Sequence, residues 1–246
     1  MRQLYSFLPL LLGVVFGCSK KAEPTQAVNK TDSLLVFYKT SGFYHTSIPA
    51  GIKAIQQLGQ TNNFRVDTTN NSARFQLDSL RKYKAVVFLS TTQDVLNTTQ
   101  QLAFEQYIRL GRGFVGIHAA TDTEYEWPWY NGLVGAYFNG HPKVQQATVR
   151  VVDNKHLATS FLPAQWVRTD EWYNFRNLAA DLHVLATLDE TTYTGGTNGT
   201  NHPIAWYHSY DGGRAFYTAG GHTDESYQEP LFLRHLLGGI TYALGK

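Results

Sequence analysis

The sequence predicts an α/β domain built on a mainly parallel sheet with helices on both faces, spanning residues 33–246. Two observations carry this. Short runs that are apolar throughout, rather than alternating, recur along the chain, as expected of strands buried on both faces. Between them lie helical segments, so strand and helix alternate every 20–30 residues and the connections must be crossovers. No internal repeat and no second apolar core with its own boundary interrupts the pattern, so one domain is expected.

Leu34 to Tyr38 (LLVFY) is the first such strand. Ser47 and Pro49 open a helix with Ile52, Ile55 and Leu58 at helical spacing, closed by Gly59. Phe64 to Val66 is a weaker strand, and Ala85 to Leu89 (AVVFL) a third buried one. A helix over Thr99 to Leu110 ends at Gly111, and Phe114 to Ile117 is the fourth strand. The second half is less regular. Thr148–Val152, His183–Leu188, Pro203–Tyr207 and Arg214–Thr218 read as strands, and Leu231–Leu244 as a C-terminal helix. Tyr193 to Asn201 is an uncharged, glycine-rich loop.

The N-terminal passage is of another kind. Arg2 precedes a ten-residue apolar run, Phe7 to Phe16, too short to span a bilayer, and Gly17-Cys18 follows it. A small residue before a cysteine at that place is the pattern of lipoprotein processing. Residues 1–17 are therefore expected to be a signal peptide and Cys18 the acylated residue. Residues 18–32 form a polar tether, and a lipid anchor holds the domain to a membrane of the cell envelope, outside the cytoplasm. Cys18 is also the only cysteine, which excludes disulfides and a thiol catalyst from the mature domain.

Of the 246 residues 43% are hydrophobic, enough for a full core, while charged residues reach 16% and aromatics 14%. A surface poor in charge and rich in Tyr, Trp, Asn and Thr suits a carbohydrate ligand. The net charge of +2, with no basic cluster beyond Lys20-Lys21, gives no footprint for nucleic acid. Oligomeric state has no signature here.

In an open parallel sheet, ligands sit beyond the carboxyl ends of the strands. Three of the nine histidines fall at such ends: His45 after the first strand, His118 after the fourth, and His222 after the last. Gly116-Ile117-His118-Ala119-Ala120 has the form of a nucleophile elbow with an imidazole in place of the nucleophile. An imidazole there can be a base, an electrophile or a metal ligand. His118 and His222 are the candidate catalytic imidazoles, with Asp122 and Glu171 as the nearest carboxylates. His45, Trp129, Trp172 and Tyr173 are candidate substrate-binding residues, the aromatics by stacking on sugar faces. His141-Pro142 and His202-Pro203 read as loop and strand-start devices. No HxH or HExxH spacing pre-forms a metal pair, so no cofactor is expected. The alternative is a divalent metal such as zinc on His45, His118 and His222.

These passages together resemble the trehalose-utilisation (ThuA-like) family. The matching blocks are Gly113 to Asp122, Trp127 to Tyr130, Asp170 to Phe175, His202 to Trp206, Gly212 to Tyr217 and Gly221 to Thr223, across the whole mature domain. The resemblance implies a flavodoxin-like three-layer sandwich of the class I glutamine amidotransferase type. It places His118 where those enzymes carry cysteine and His222 as the counterpart of their later histidine, so glutaminase activity is not expected. It also implies a role in disaccharide or glycoside use, linked to sugars oxidised at carbon 3. Three readings follow: an isomerase, lyase or hydrolase moving protons on a glycoside or 3-keto-glycoside, a non-catalytic carbohydrate-binding lipoprotein, and a metal-dependent hydrolase.

Overall fold

The structure is a computed structural model that describes residues 1–4 and 32–246. Cys18, most of the signal segment and nearly all of the tether lie outside the described residues.

The domain begins one residue earlier than expected. Strand β1 (Asp32–Phe37) leads to helix α1 (Ile48–Thr61) and strand β2 (Phe64–Thr69); a short helix α2 (Leu77–Leu80) precedes β3 (Ala85–Leu89). Helix α3 (Thr98–Arg109) starts at a reciprocal cap between Asn97 and Gln100, and β4 (Gly113–Ile117) follows. Then come α4 (Pro128–Val134), β5 (Tyr137–Phe138), β6 (Gln145–Val151), β7 (Gln165–Asp170), β8 (Phe175–Arg176), β9 (His183–Leu188), β10 (His202–Tyr210), β11 (Gly213–Thr218) and α5 (Pro230–Leu244).

Helix α1 does not stop at Gly59 but runs through it to Thr61. Gly59 is there because a Cβ would run into the Phe64 carbonyl oxygen and Val66, so the glycine lets the helix lie close on β2. The aromatic passage after Tyr125 becomes α4, with Pro128 in its first turn.

The main sheet has nine strands in the order β2-β1-β3-β4-β11-β10-β9-β6-β7, and β5 pairs with β8 in a separate ribbon. The first five strands are all parallel; from β11 onward every pairing is antiparallel. The α/β sandwich expected from the sequence is what forms, with its parallel character gathered in one half. Side chains of β3 alternate between layers: Phe88 stacks on Phe104 of α3 on one face, while Leu89 lies against Gly51 of α1 on the other.

Strand β7 was not legible as a strand. Its burial alternates strictly, yet the inward positions are Trp166, Arg168 and Asp170. Two of those three are charged, so the apolar alternation that marks a half-buried strand is missing. They are tolerated because they pair: Arg168 Nη1 lies 3.1 Å from Asp170 Oδ2, and Arg168 Nε 3.0 Å from Glu229.

Candidate functional site

The carboxyl edge of the parallel strands carries unusual backbone. Of the seven non-glycine residues with positive φ among those described, four lie there: Ser90, Gln93, His118 and Glu124. His118 has φ +51°, directly after the last residue of β4, and is the sharp strand exit that the elbow pattern suggested. Its carbonyl accepts from Tyr217 Oη at 2.8 Å, which pins the turn. The ring is pinned too. His118 Nδ1 lies 2.8 Å from the Ala219 carbonyl oxygen. A carbonyl only accepts, so Nδ1 donates to it and Nε2 is the ring atom turned to the cluster, a lone pair whenever the ring is neutral.

That lone pair faces two other groups. His118 Nε2 is 3.2 Å from His222 Nδ1 and 3.6 Å from Glu171 Oε2, and His222 Nδ1 is 3.1 Å from the same carboxylate oxygen. His45, from the loop between β1 and α1, completes the group. Its ring stands edge-on to those of His118 and His222 at 4.7 and 5.3 Å. One donor atom from each of His45, His118, Glu171 and His222 lies within 4.8 Å of all the others, so these four could hold a metal ion.

Above the cluster opens a cavity of about 260 Å³ lined by Phe43, His45, Asp122, Phe138, His141, Glu171, Tyr173 and His222, with His118 fully buried beneath. That is just below the usual range for ligand sites, room for a single sugar ring. Tyr173 lies tilted over His118 at 4.3 Å and against Phe138. Asp122 Oδ1 accepts from Tyr125 Oη at 2.6 Å and from Gln93 Nε2 at 3.1 Å. Its other oxygen has no hydrogen-bond partner among the described residues.

Electrostatics separate the two carboxylates. Burial pushes the Glu171 carboxyl upward, but its contacts with His118 and His222 outweigh burial and hold it well below the usual carboxylate range. Burial raises Asp122, and the bond from Tyr125 offsets only part of that. Burial lowers His222, yet its bond to Glu171 outweighs this and leaves it raised. Burial, joined by the neighbouring imidazoles of His118 and His222, takes His45 down to about 3.

The structure thus brings His45, His118, His222, Asp122, Glu171 and Tyr173 to one cavity. The two tryptophans are elsewhere, and their stacking role is corrected. Trp172 is fully buried, its Nε1 bonded to the Gln145 carbonyl, because it points to the opposite side of the chain from its neighbours Glu171 and Tyr173. Trp129 stacks on Trp127 and bonds Asp211 in the β10–β11 turn, at the far end of the sheet from His118. The exposed aromatic that lines the cavity is instead Phe43. Sequence reasoning also missed His141, whose Nδ1 lies 2.9 Å from Glu171 Oε1 and whose side chain is 41% exposed. It follows only the two-residue strand β5, which is too short to show in the sequence pattern. His202 does start β10, and its Nε2 holds the Tyr173 carbonyl at 2.7 Å.

The model of one family, described as "Trehalose utilisation" and abbreviated ThuA, matches residues 33–243. The chain belongs to the ThuA family. Solved structures agree on its fold. A putative ThuA-like protein from Bacteroides uniformis superposes on this ThuA chain with a TM-score of 0.75 at 23% identity, covering 90% of this chain and 95% of the other. A putative ThuA-like protein from Parabacteroides merdae gives 0.74 at 22% identity, covering 88% and 91%. A β-galactosidase from Bacillus circulans contains a similarly folded portion, with a TM-score of 0.56 and 12% identity over 87% of the ThuA chain and 30% of the enzyme. A sequence search of curated proteins found no match to the ThuA chain.

Proposed function

We propose that this ThuA-family chain is an enzyme of carbohydrate utilisation that moves protons on a glycoside or 3-keto-glycoside. We further propose that it works at the cell envelope as a lipoprotein anchored through Cys18. The observation that carries the enzyme reading is the pairing of two unlike features in one sugar-sized cavity. One is a carboxylate raised by burial with one oxygen free; the other is a cluster of three imidazoles and a second carboxylate opposite it.

A ketone at carbon 3 acidifies the neighbouring C–H bonds. Asp122 takes the proton from that carbon, and the C–H electron pair becomes a C=C bond while the carbonyl oxygen gains negative charge. That oxygen lies toward the His45 and His222 imidazoles at the cavity wall, away from the Glu171 carboxylate, where a ring N–H can donate to it as the charge develops. The enolate then regains a proton on carbon, which is isomerisation, or expels the glycosidic oxygen one carbon further on, which is elimination. In elimination the leaving oxygen needs a proton, and the exposed His141 imidazole at the rim supplies it. Phe43 and Phe138 offer apolar faces for the sugar or its leaving group.

The test is solvent deuterium exchange at the carbon beside the ketone, with turnover of a 3-keto-glycoside followed in parallel. Asp122→Asn is expected to lower kcat by about 10²–10⁴-fold with KM little changed. Tight binding of the sugar without exchange or cleavage in the wild-type protein would overturn the enzyme reading and make this a carbohydrate-binding lipoprotein.

A further inference from the structure

The side chains that converge beneath the cavity do not carry enough protons to satisfy one another. His118 spends its Nδ1 proton on the Ala219 carbonyl, so in the neutral ring Nε2 enters the cluster as a lone pair. Glu171 Oε2 enters as a second acceptor. His222 Nδ1 faces both, at 3.2 and 3.1 Å, and its single proton cannot bond fully to two acceptors. His45 adds a third imidazole, 3% exposed, whose Nδ1 is buried with no hydrogen-bond partner among the described residues. Lone pairs converging on one point without donors repel one another and stay unsatisfied unless a cation lies between them.

The spacing fits such a cation. Zinc binds histidine nitrogen at about 2.0–2.1 Å and carboxylate oxygen at about 2.0–2.2 Å, so tetrahedral ligands lie roughly 3.4 Å from each other. The three measured edges of the cluster are 3.1, 3.2 and 3.6 Å, and the donor atom of His45 is within 4.8 Å of all three. The outer partners are those of a metal site as well. The Ala219 carbonyl orients His118, and His141 Nδ1 lies 2.9 Å from Oε1 of Glu171, on the side away from the Oε2 that faces the centre. Three neutral imidazoles and one carboxylate sum to a single negative charge, so a dication leaves the site net positive, facing the cavity.

We propose that His45, His118, His222 and Glu171 form a binding site for one divalent first-row metal ion, zinc foremost. The inference deepens the proposed function, in which the same cluster faces the sugar's carbonyl oxygen: a bound dication would polarise that oxygen as a Lewis acid. Metal binding itself is measured without turnover, so the two readings fail separately.

The mature domain, stripped with chelator and dialysed, is titrated with Zn²⁺ by calorimetry and with Co²⁺ by visible absorption. One ion per chain is expected, with d–d bands of cobalt in a low-coordinate nitrogen–oxygen site and a rise in Tm on zinc addition. Losing an outer-shell partner weakens metal about 10–100-fold, so Glu171→Gln and His118→Ala are expected to weaken zinc by about 100-fold or more. Glu171→Gln is close in shape to the wild type and guards against a variant that simply fails to fold, checked by circular dichroism. Absence of cobalt bands, or zinc bound equally by the wild type and Glu171→Gln, would overturn the site. Failure to bind metal in a protein that still exchanges the sugar's proton through Asp122 would remove the metal and keep the proposed function. Stoichiometric zinc in a protein that turns over no keto-sugar would do the reverse.

Discussion

Asp170 is fully buried between two stretches of chain that meet only in the folded protein. Its Oδ1 accepts from the backbone N–H groups of Glu171 and His222, and its Oδ2 from those of Gly221 and the Ser226 hydroxyl, beside the Arg168 guanidinium. It touches no part of the cavity, yet it sets the backbone of both Glu171 and His222 and so determines their separation. Removing it takes one of two carboxylate partners from the buried Arg168 and strands several N–H donors at once. Asp170→Ala is expected to lower unfolding free energy by about 3–5 kcal/mol, read from denaturant curves. Asp170→Asn, which keeps the shape and part of the acceptor set, should cost less. A loss below about 1 kcal/mol for Asp170→Ala would mean that water or neighbouring groups replace the carboxylate.

At the level of elements, the decisive feature is the antiparallel half of the sheet. Strand β7 stands four places from β11 in strand order, yet Asp170 at its end bonds Gly221 and His222 just past β11. The half-sheet must therefore curl back on itself, and that curl brings Glu171 over His118. The other half depends on close helix packing. Gly113 opens β4 directly under α5, where an added Cβ would collide with the backbone of Ala243. No flexible side chain is there to yield, so Gly113→Ala should force β4 and α5 apart. A loss of about 1–3 kcal/mol or more is expected in thermal or chemical unfolding, with far-UV circular dichroism little changed. An unchanged Tm would show that α5 shifts freely on the sheet.

For the whole molecule, two predictions concern its environment. His235 of α5 is buried with Nδ1 on the Ala158 carbonyl and Nε2 on Thr218 Oγ1, and burial takes its pKa down to about 4. The unfolded chain, with an ordinary histidine near 6.5, binds the proton more readily over that interval. Stability is thus full above about pH 6.5 and falls as the pH drops toward 4, by as much as about 3 kcal/mol from this group. His235→Gln should flatten that part of the stability–pH profile, whatever its absolute stability; an unchanged slope would assign the acid sensitivity elsewhere. The second prediction concerns anchoring. Cys18→Ser should block fatty-acid labelling and leave an unprocessed precursor in cells. Normal maturation, or continued labelling, would end the lipoprotein proposal.

What the sequence by itself determined was whatever depends on neighbours along the chain. Strands β3 and β4, and β1 from Leu34 to Phe37, are apolar or glycine at every position because both of their faces are covered, and that shows in four or five consecutive residues. Parallel strands end at one edge, so His45, His118 and His222 could be expected at one crevice before any distance was known. What only the tertiary structure decided was whatever depends on a side chain's partner far away in the chain. Strand β7 hid because its inward charges are paid for by Glu229 and Ser226, some sixty positions on. His141 gained its place from a carboxylate thirty residues later. Trp172 and Tyr173 are equally aromatic in sequence, but adjacent residues of an extended segment point to opposite sides, and only the packing against Gln145 or His118 tells which one meets the cavity.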